Sequence, residues 1–256
     1  MRFLAFLLLL AACKEQKLDI DARWFSDASF DHGAAVVCTY EGRFKRYGVW
    51  RPAVVTDYVI REYLDPEELT KRDVVRDGLI PVIKVNRHVT FRTGTYPYRL
   101  MHSLFFDRRD GSLVKAVGTS QEGCGIAFQR WDRRSRALAY DTYWEGEGAG
   151  SRKFQKSGAA LFDDEVPFVA ARVPDGTSIR VWPSLMRSKV AGFTSKDARV
   201  TRKGGAVHVG GESVFQYDEA GFLTAWKTPG AEFRRVGKKR LYYWQHTDNG
   251  DEKLLR

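Results

Sequence analysis

Two glutamates, Glu145 and Glu147, are the residues of this chain best suited to acid and base chemistry. Alternate side chains of a β-strand point to the same face, so a strand through this segment would place the two carboxylates side by side. Tyr143 and Trp144 precede them, and paired carboxylates beside aromatic rings serve as acid and base on sugars. Acidic residues at a strand end next to glycines also commonly face water. The pair is therefore a catalytic candidate, with an ordinary surface role as the alternative.

Cys124 is a candidate nucleophile, because it lies between Gly123 and Gly125 and a nearby histidine would activate its thiol. The five histidines are scattered along the chain and match neither His-Glu-x-x-His nor the paired-cysteine spacing of zinc sites. Local motifs thus predict no metal and no cofactor, although distant residues could still assemble a site.

The N-terminal residues have the layout of a secretory signal peptide: Arg2, then the apolar stretch 3–12, then Cys13. The apolar stretch is about half of the roughly 20 residues that span a bilayer, which argues against a transmembrane helix. Its ending, Leu-Ala-Ala-Cys, resembles the lipobox of bacterial lipoproteins. The resemblance implies cleavage after Ala12 and a diacylglyceryl group on the thiol of Cys13. A cleaved signal peptide with a chance cysteine is the alternative.

This N-terminus predicts a lipid-anchored protein of the bacterial cell envelope. Two or three acyl chains, such as palmitate, hold a protein on a membrane for practical purposes. Lys14 follows the cysteine, and under the enterobacterial sorting rule a residue other than aspartate there implies the outer membrane, facing the periplasm. We expect residues 1–12 to be a lipoprotein signal peptide, residues 13–23 a polar tether, and residues 24–256 a single β-rich domain.

The chain is basic, with 42 Lys and Arg against 32 Asp and Glu and a formal net charge of +10. A basic surface attracts nucleic acid, anionic lipid head groups or acidic glycans. In the cell envelope the last two are the relevant partners, and no helix-turn-helix, zinc finger or aromatic RNA-binding signature indicates nucleic acid. Hydrophobic residues make up 43% of the chain, which is enough for a packed core and excludes disorder for most of it.

If Cys13 carries lipid, two cysteines remain, Cys38 and Cys124. An oxidising envelope compartment permits a disulfide between them. Because it lowers the entropy of the unfolded chain, such a bridge would add roughly 4 kcal/mol to the free energy of unfolding. The bridge requires their Cα atoms to lie close together, which the sequence does not show. The alternative is two thiols that behave as small apolar residues.

Alternating apolar and polar residues predict a mainly β fold, an antiparallel twisted sheet with one or two short helices. Glu41-Gly42 and Asp110-Gly111 are turn signals between strands, and acids followed by Arg172 predict a helix over residues 162–172. The predicted strands cover residues 33–40, 43–50, 52–63, 80–84, 89–94, 98–106, 113–118, 125–131, 137–144, 179–182, 198–202, 206–209, 213–217, 222–227 and 232–236.

Four short motifs stand out in the first part of the chain: Arg46-Tyr47-Gly48, Thr93-Gly94-x-Tyr96-Pro97-Tyr98, Ser120-Gln121-Glu122-x-Cys124-Gly125 and Tyr143-Trp144-Glu145-Gly146-Glu147. With them, most of the exported region resembles an uncharacterised family of bacterial lipoproteins, whose members sometimes carry the label septum formation inhibitor Maf. Maf proteins proper have an N-terminal Ser-x-x-Arg-Arg phosphate motif, whereas this chain opens with a signal peptide.

Two segments of the second half, 174–178 and 215–223, carry a looser likeness. They resemble periplasmic domains of unknown function whose fold is similar to the half-barrel lipoprotein carriers. The likeness implies a twisted antiparallel sheet wrapped around a hydrophobic concavity, which would hold a lipid or acyl ligand or be filled by aromatic core residues.

These observations predict a lipid-anchored envelope protein that acts by binding or scaffolding, with a hydrophobic or anionic envelope ligand, and not by catalysis. The alternative is an envelope hydrolase that uses Glu145 and Glu147. An enzyme should bring these carboxylates, Cys124 or a histidine together in a concave polar pocket. A carrier should have a deep apolar groove, and a scaffold a filled sheet.

Overall fold

The computed structural model describes residues 17–156 and 158–255, so the predicted signal peptide and the predicted lipid attachment site, Cys13, lie outside the described residues. Strands account for most of the regular structure, together with two four-residue α-helices and several short 3-10 turns. The elements are α1 (Arg23–Ser26), β1 (Ala35–Arg46), β2 (Val49–Leu64), β3 (Ile80–Thr93), β4 (Tyr96–Asp107), β5 (Leu113–Glu122), β6 (Gly125–Asp132), β7 (Ala137–Asp141), β8 (Ala149–Lys153), β9 (Ala160–Phe162), α2 (Val166–Val169), β10 (Ser178–Trp182), β11 (Lys196–Lys203), β12 (Ala206–Val209), β13 (Ser213–Tyr217), β14 (Leu223–Thr228) and β15 (Ala231–Leu241).

All the strands belong to one open sheet in the order β8-β7-β6-β5-β4-β3-β2-β1-β15-β14-β13-β12-β11-β10-β9. Each half of the chain forms its own meander, and the pairing of β1 with β15 joins the two meanders. Every neighbouring pair is antiparallel except β9 and β10, which run parallel. The predicted fold class, a mainly β antiparallel sheet with one or two short helices, is therefore confirmed.

The predicted turn at Glu41-Gly42 is wrong, because β1 runs straight through it. A Cβ atom placed on Gly42 would lie 2.0 Å from the carbonyl oxygen of Glu232 in β15. The glycine thus allows β1 and β15 to approach closely, and the chain does not turn at this position. The segments predicted as separate strands at 80–84 and 89–94 are likewise one strand, β3, because polar residues between them occupy its alternate positions.

One face of the sheet is concave, and its buried residues form three rows across β2, β3 and β4. Residues in a row are cross-strand partners, and successive rows are two residues apart along each strand. The inner row is Asp57, Arg87 and His102; the middle row is Val55, Val89 and Leu100; the tip row, nearest the hairpin turns, is Ala53, Phe91 and Tyr98.

A segment from the second half of the chain lies in the concavity. This central segment, residues 160–173, contains β9, α2 and a 3-10 turn, and all four residues of α2 are buried. The predicted helix over 162–172 is therefore confirmed only as two short turns. The loop 183–195 covers the sheet beside it, where the Gln129 side-chain amide donates to the Arg187 carbonyl at 2.7 Å. The two halves of the sheet thus enclose one hydrophobic core.

Residues 18–30 close the end of the concavity opposite the hairpin turns at Tyr47 and Gly94. Phe25 and Phe30 are buried, and the ring centroid of Phe25 lies 5.1 Å from that of Phe106. Leu18 is also buried, and its amide donates to Gly158 at 3.1 Å. The part of the predicted tether from residue 18 onward is therefore packed on the domain. All members of the main core lie between Leu18 and Phe233, so a chain that starts at residue 14 keeps the whole core.

Cys38 and Cys124 are free thiols, so the disulfide considered from the sequence is not formed. Cys38 lies in the middle of β1, and Cys124 lies in the turn between β5 and β6. Four strand spacings separate β1 from β5, roughly 19 Å along the sheet, whereas a bridge needs Cα atoms within about 7 Å. Burial raises the pKa of the Cys38 thiol to about 11, so this cysteine behaves as an unreactive apolar residue.

We predict that Gly118→Ala destabilises the protein by roughly 1–3 kcal/mol, as overpacked cores do. The added Cβ would lie 2.1 Å from the carbonyl oxygen of Leu185, which forces the loop 183–195 off the sheet. Urea unfolding followed by tryptophan fluorescence measures the loss. Gly230→Ala is the matched control, because nothing lies within 4 Å of its added Cβ. Equal losses for the two variants would contradict the close contact.

Candidate functional site

The concavity contains a cavity of about 220 Å³ between the first meander, the second meander and the central segment. Val55, Val89 and Leu100 of the middle row are buried around it, whereas Phe44, Arg46 and Arg187 are partly exposed. The cavity therefore opens toward the hairpin tips and ends at the inner row. From the inner row to the tip row is four residues of β3, or about 14 Å.

The walls of the cavity are apolar and largely aromatic. Phe91 stacks between Phe44 and Tyr98, with ring centroids 5.1 and 4.8 Å apart. The facing wall comes from the second meander, where Trp226 and Phe233 stack at 4.9 Å. Such walls would bury apolar surface of a ligand at a gain of about 25 cal/mol per Å².

The floor of the cavity is polar and begins with a buried ion pair. Arg87 donates to both carboxylate oxygens of Asp57 at 2.7 Å, and both side chains are almost fully buried. The guanidinium carbon also lies 4.9 Å from the ring centre of Phe168 and 4.8 Å from that of Trp226. Although burial alone would lower the pKa of Arg87, the charge of Asp57 raises it above its ordinary value.

His102 and Asp164 form the second polar element of the floor. The Nδ1 atom of His102 lies 3.2 Å from an oxygen of Asp164, whose carboxylate also accepts hydrogen bonds from the Ser184 hydroxyl and the Leu185 amide, both at 2.6 Å. Burial would raise the pKa of Asp164, but these hydrogen bonds and the imidazole lower it. Because Ser184 bonds to the aspartate and not to the imidazole, the group lacks the hydroxyl nucleophile of a catalytic triad among the described residues.

Asp163 is the third polar residue of the floor. Its side chain is exposed and is one of the residues that line the cavity. Burial raises the pKa of the Asp163 carboxyl to about 6, and the charge of Asp164 adds to the rise. A perturbed carboxyl in a concave pocket is characteristic of functional sites.

The rim of the cavity joins residues of three hairpin tips. Arg46, from the first tip, donates to Glu122, from the third, at 2.8 Å. The Tyr47 hydroxyl lies 2.9 Å from the Tyr98 hydroxyl of the second tip, and Ser120 donates to Glu122 at 3.3 Å. Burial would raise the pKa of Glu122, but hydrogen bonds led by Tyr98, together with the charge of Arg46, lower it. The rim is a closed polar network with a buried carboxylate at its centre.

The rim shows what the sequence motifs share. Their positions in the chain are far apart, yet the sheet brings the hairpin tips that carry them to one edge. Glu122 lay within a motif but was not singled out as a site residue, and nothing in its local sequence shows that it meets Arg46. His102, Arg87 and Asp163 were also missed, because they share a cavity only after the central segment has packed into the sheet.

Glu145 and Glu147 do not form the predicted pair. They lie in a turn between β7 and β8 and not on a strand face. Glu145 is exposed, whereas Glu147 accepts backbone hydrogen bonds from Val190 at 2.8 Å and Ala191 at 2.7 Å. Those bonds lower the pKa of Glu147, although burial opposes them. Its carboxylate therefore anchors the loop 183–195 and leaves no acid and base couple.

Cys124 is exposed in its turn and does not line the cavity. In residues 17–156 and 158–255, no three histidine, cysteine or acidic side chains are grouped so that they could hold a metal ion. No helix in the described parts of the chain is long and apolar enough to cross a membrane.

Comparison with known proteins adds little to this geometry. No known protein family matches the chain, and no curated protein does. Among solved structures, it is similar to a DUF1089 family protein from Pseudomonas aeruginosa, with 17% sequence identity and a TM-score of 0.35 over 55% of this chain and 82% of that one. A likeness at this level carries no weight for fold or function, which leaves the cavity itself as the basis for proposals.

We predict that Glu122→Gln destabilises the protein by roughly 2 kcal/mol at neutral pH, because it leaves the partly buried Arg46 without its counter-ion. A carboxyl with a lowered folded pKa stabilises above its unfolded pKa, and this stabilisation is lost as the pH falls through the folded value. The deficit of the variant should therefore shrink in acid. Chemical unfolding at several pH values measures it.

Glu145→Gln, at an exposed position in the neighbouring turn, should change stability by less than about 0.5 kcal/mol. A deficit independent of pH would contradict the role of the ion pair.

Proposed function

We propose that this protein binds a hydrophobic envelope ligand in the cavity and does so without catalysis. The observation that carries the proposal is the apolar-walled cavity of about 220 Å³ between the two meanders. Close-packed interiors contain few voids larger than a water molecule, so this cavity is larger than the voids that ordinary packing leaves.

The size of the cavity limits what enters it. An engineered cavity of roughly 150 Å³ holds benzene, and pockets for drug-sized ligands begin near 300 Å³. The cavity lies between these sizes. One alkyl chain or one compact aromatic molecule fits it, whereas a whole lipid with several chains does not, so the rest of a larger ligand would remain at the rim.

The rim supports an amphipathic ligand. Arg187 lines the cavity where it opens, and its guanidinium donates to the Ala191 carbonyl and to no carboxylate among the described residues. A cation at the mouth of an apolar cavity suits a ligand whose outer part is anionic, in keeping with the basic composition of the chain.

The geometry does not favour the alternative of a hydrolase that acts through Glu145 and Glu147. One carboxylate is exposed and the other holds backbone amides. A scaffold that needs no ligand would have a filled concavity, and here the middle row, with Phe91 and Tyr98 of the tip row, lines free space.

We predict that Val55→Phe lowers the affinity for the apolar dye N-phenyl-1-naphthylamine at least tenfold, because the ring would occupy the cavity that Val55 lines. Val54→Phe is the matched control: Val54 is the adjacent residue of β2 and faces the opposite side of the sheet. It should change the affinity less than twofold. Dye fluorescence with residues 14–256 measures both, and native mass spectrometry of wild-type protein from envelope extract identifies a natural ligand. Equal dye binding by the two variants would contradict binding in the cavity.

We also propose that Cys13 carries the lipid that anchors the domain to the outer membrane, facing the periplasm. The proposal rests on the likeness of residues 9–13, Leu-Leu-Ala-Ala-Cys, to a lipobox and on Lys14 after the cysteine. With the anchor near the packed segment that starts at Leu18, the domain would lie close to the bilayer surface.

We predict that Cys13→Ser in the full chain, expressed in a bacterial host, abolishes incorporation of labelled palmitate and releases the protein from the membrane fraction. Cys124→Ser is the control, since it removes an exposed free thiol without touching the N-terminus. Its labelling and fractionation should match wild type. Palmitate incorporation that persists in Cys13→Ser would refute the anchor.

A further inference from the structure

The polar floor of the cavity has two hydrogen-bond acceptors without partners. The Nε2 atom of His102 is buried and has no hydrogen-bond partner among the described residues, although the ring lines the cavity. The Asp163 carboxylate faces the same cavity and makes no side-chain hydrogen bond within the described chain, its backbone amide alone being paired, with Trp182 at 2.7 Å. An unpaired buried atom such as the His102 Nε2 costs free energy, and a ligand can satisfy it.

The tautomer of His102 that donates from Nδ1 to Asp164 makes its Nε2 an acceptor, like the Asp163 carboxylate. In the neutral imidazole, Nδ1–H donates to Asp164, which leaves a lone pair on Nε2. The nearest cation of the floor, Arg87, is already neutralised by its two bonds to Asp57. Asp164 adds a second negative charge next to Asp163. The floor therefore presents acceptors and an excess of negative charge.

We infer that the cavity floor receives the hydrogen-bond-donating end of the ligand, a hydroxyl or an ammonium group, between the Asp163 carboxylate and the His102 Nε2. The inference deepens the proposed function and rests on it. A carboxylate at the floor would meet like charge at Asp163 and Asp164. The ligand class is thus a long-chain alcohol or amine, and not a fatty acid.

The rest of the cavity fits this orientation. From the floor outward, the alkyl part of such a ligand would pass Val55, Val89 and Leu100 and leave between the stacked rings of Phe91 and Tyr98. Any larger polar portion would reach the rim. The polar floor would instead penalise a ligand that entered with its methyl end first, because the tail would bury Asp163 without a partner.

The effect of the Asp163 charge on the stability of the fold offers a second readout. The groups that act on its carboxyl are Asp164 beside it, Arg87 from β3 and Lys196 from β11, and His102 faces the same cavity from β4. The folded pKa of about 6 exceeds the ordinary value of 3.8. Wild-type protein without ligand therefore loses stability as the pH rises from 3.8 through 6. A neutral side chain at this position would not show that loss.

The test is competition of three ten-carbon ligands against N-phenyl-1-naphthylamine at pH 7.5, with residues 14–256. 1-Decanol, decylamine and decanoate share one alkyl chain, so their affinities differ only through the end group. We expect the alcohol and the amine to bind at least tenfold more tightly than decanoate. Asp163→Asn should reduce this ratio to threefold or less, whereas Glu145→Gln, at an exposed turn, should leave it unchanged.

The outcomes separate the two proposals. If decanoate binds as tightly as decanol, or if Asp163→Asn leaves the ratio unchanged, the cavity binds ligands but the inference fails. If neither the dye nor any of the three ligands binds, the proposed function fails and the inference fails with it.

Thermal unfolding checks that the effect of Asp163→Asn on binding comes from the lost charge and not from misfolding. Asp163→Asn should melt at a higher temperature than ligand-free wild-type protein at pH 7.5, and the difference should disappear near pH 4. A variant that melts below wild type at pH 7.5 would mean that the Asp163 carboxylate holds the fold together, which would overturn its assignment to a ligand.

Discussion

The buried contact of Arg87 with Asp57, Phe168 and Trp226 is the interaction on which the rest of the structure depends. The ion pair joins β3 to β2, while the two rings that flank the guanidinium belong to the central segment and to β14. One side chain therefore contacts both meanders and the segment that fills the concavity. Breaking a buried ion pair by removing one partner costs roughly 3–5 kcal/mol, and here the loss would fall at the meeting point of three parts of the chain.

The same contact explains why the concavity is only partly filled. The central segment and the loop 183–195 pack against the inner row, where polar groups satisfy one another through Asp57, Arg87, His102 and Asp164. Toward the hairpin tips the two meanders carry aromatic rings on facing walls, but no segment of residues 17–156 or 158–255 enters between them. A packed polar floor below and a polar rim above thus leave an apolar space between them, which is the arrangement that an amphipathic ligand needs.

Much of the fold could be predicted from the alternation of residues, and the exceptions have physical causes. β3 shows a regular alternation of buried and partly exposed residues, and so do most strands that were predicted. Gly42 was interpreted as a turn because glycine commonly marks turns, yet here it allows β15 to approach β1. The Glu145 and Glu147 pair was interpreted from strand geometry, but the glycines around it favour a turn, and Glu147 then finds backbone amides in a distant loop. Such partners depend on long-range packing, which local patterns do not contain.

The sequence by itself determined the mainly β class, the approximate positions of most strands and the motifs at the hairpin tips, because these depend on periodicity and on residue types that are neighbours in the chain. Its prediction of a lipid anchor likewise rests on consecutive residues at the N-terminus. Only the tertiary structure decided that the tips meet at one rim, that Cys38 and Cys124 stay apart, and that Asp163 and His102 face one cavity. The physical reason is that register and curvature of a sheet bring together residues far apart in sequence, and their burial and pKa depend on those neighbours.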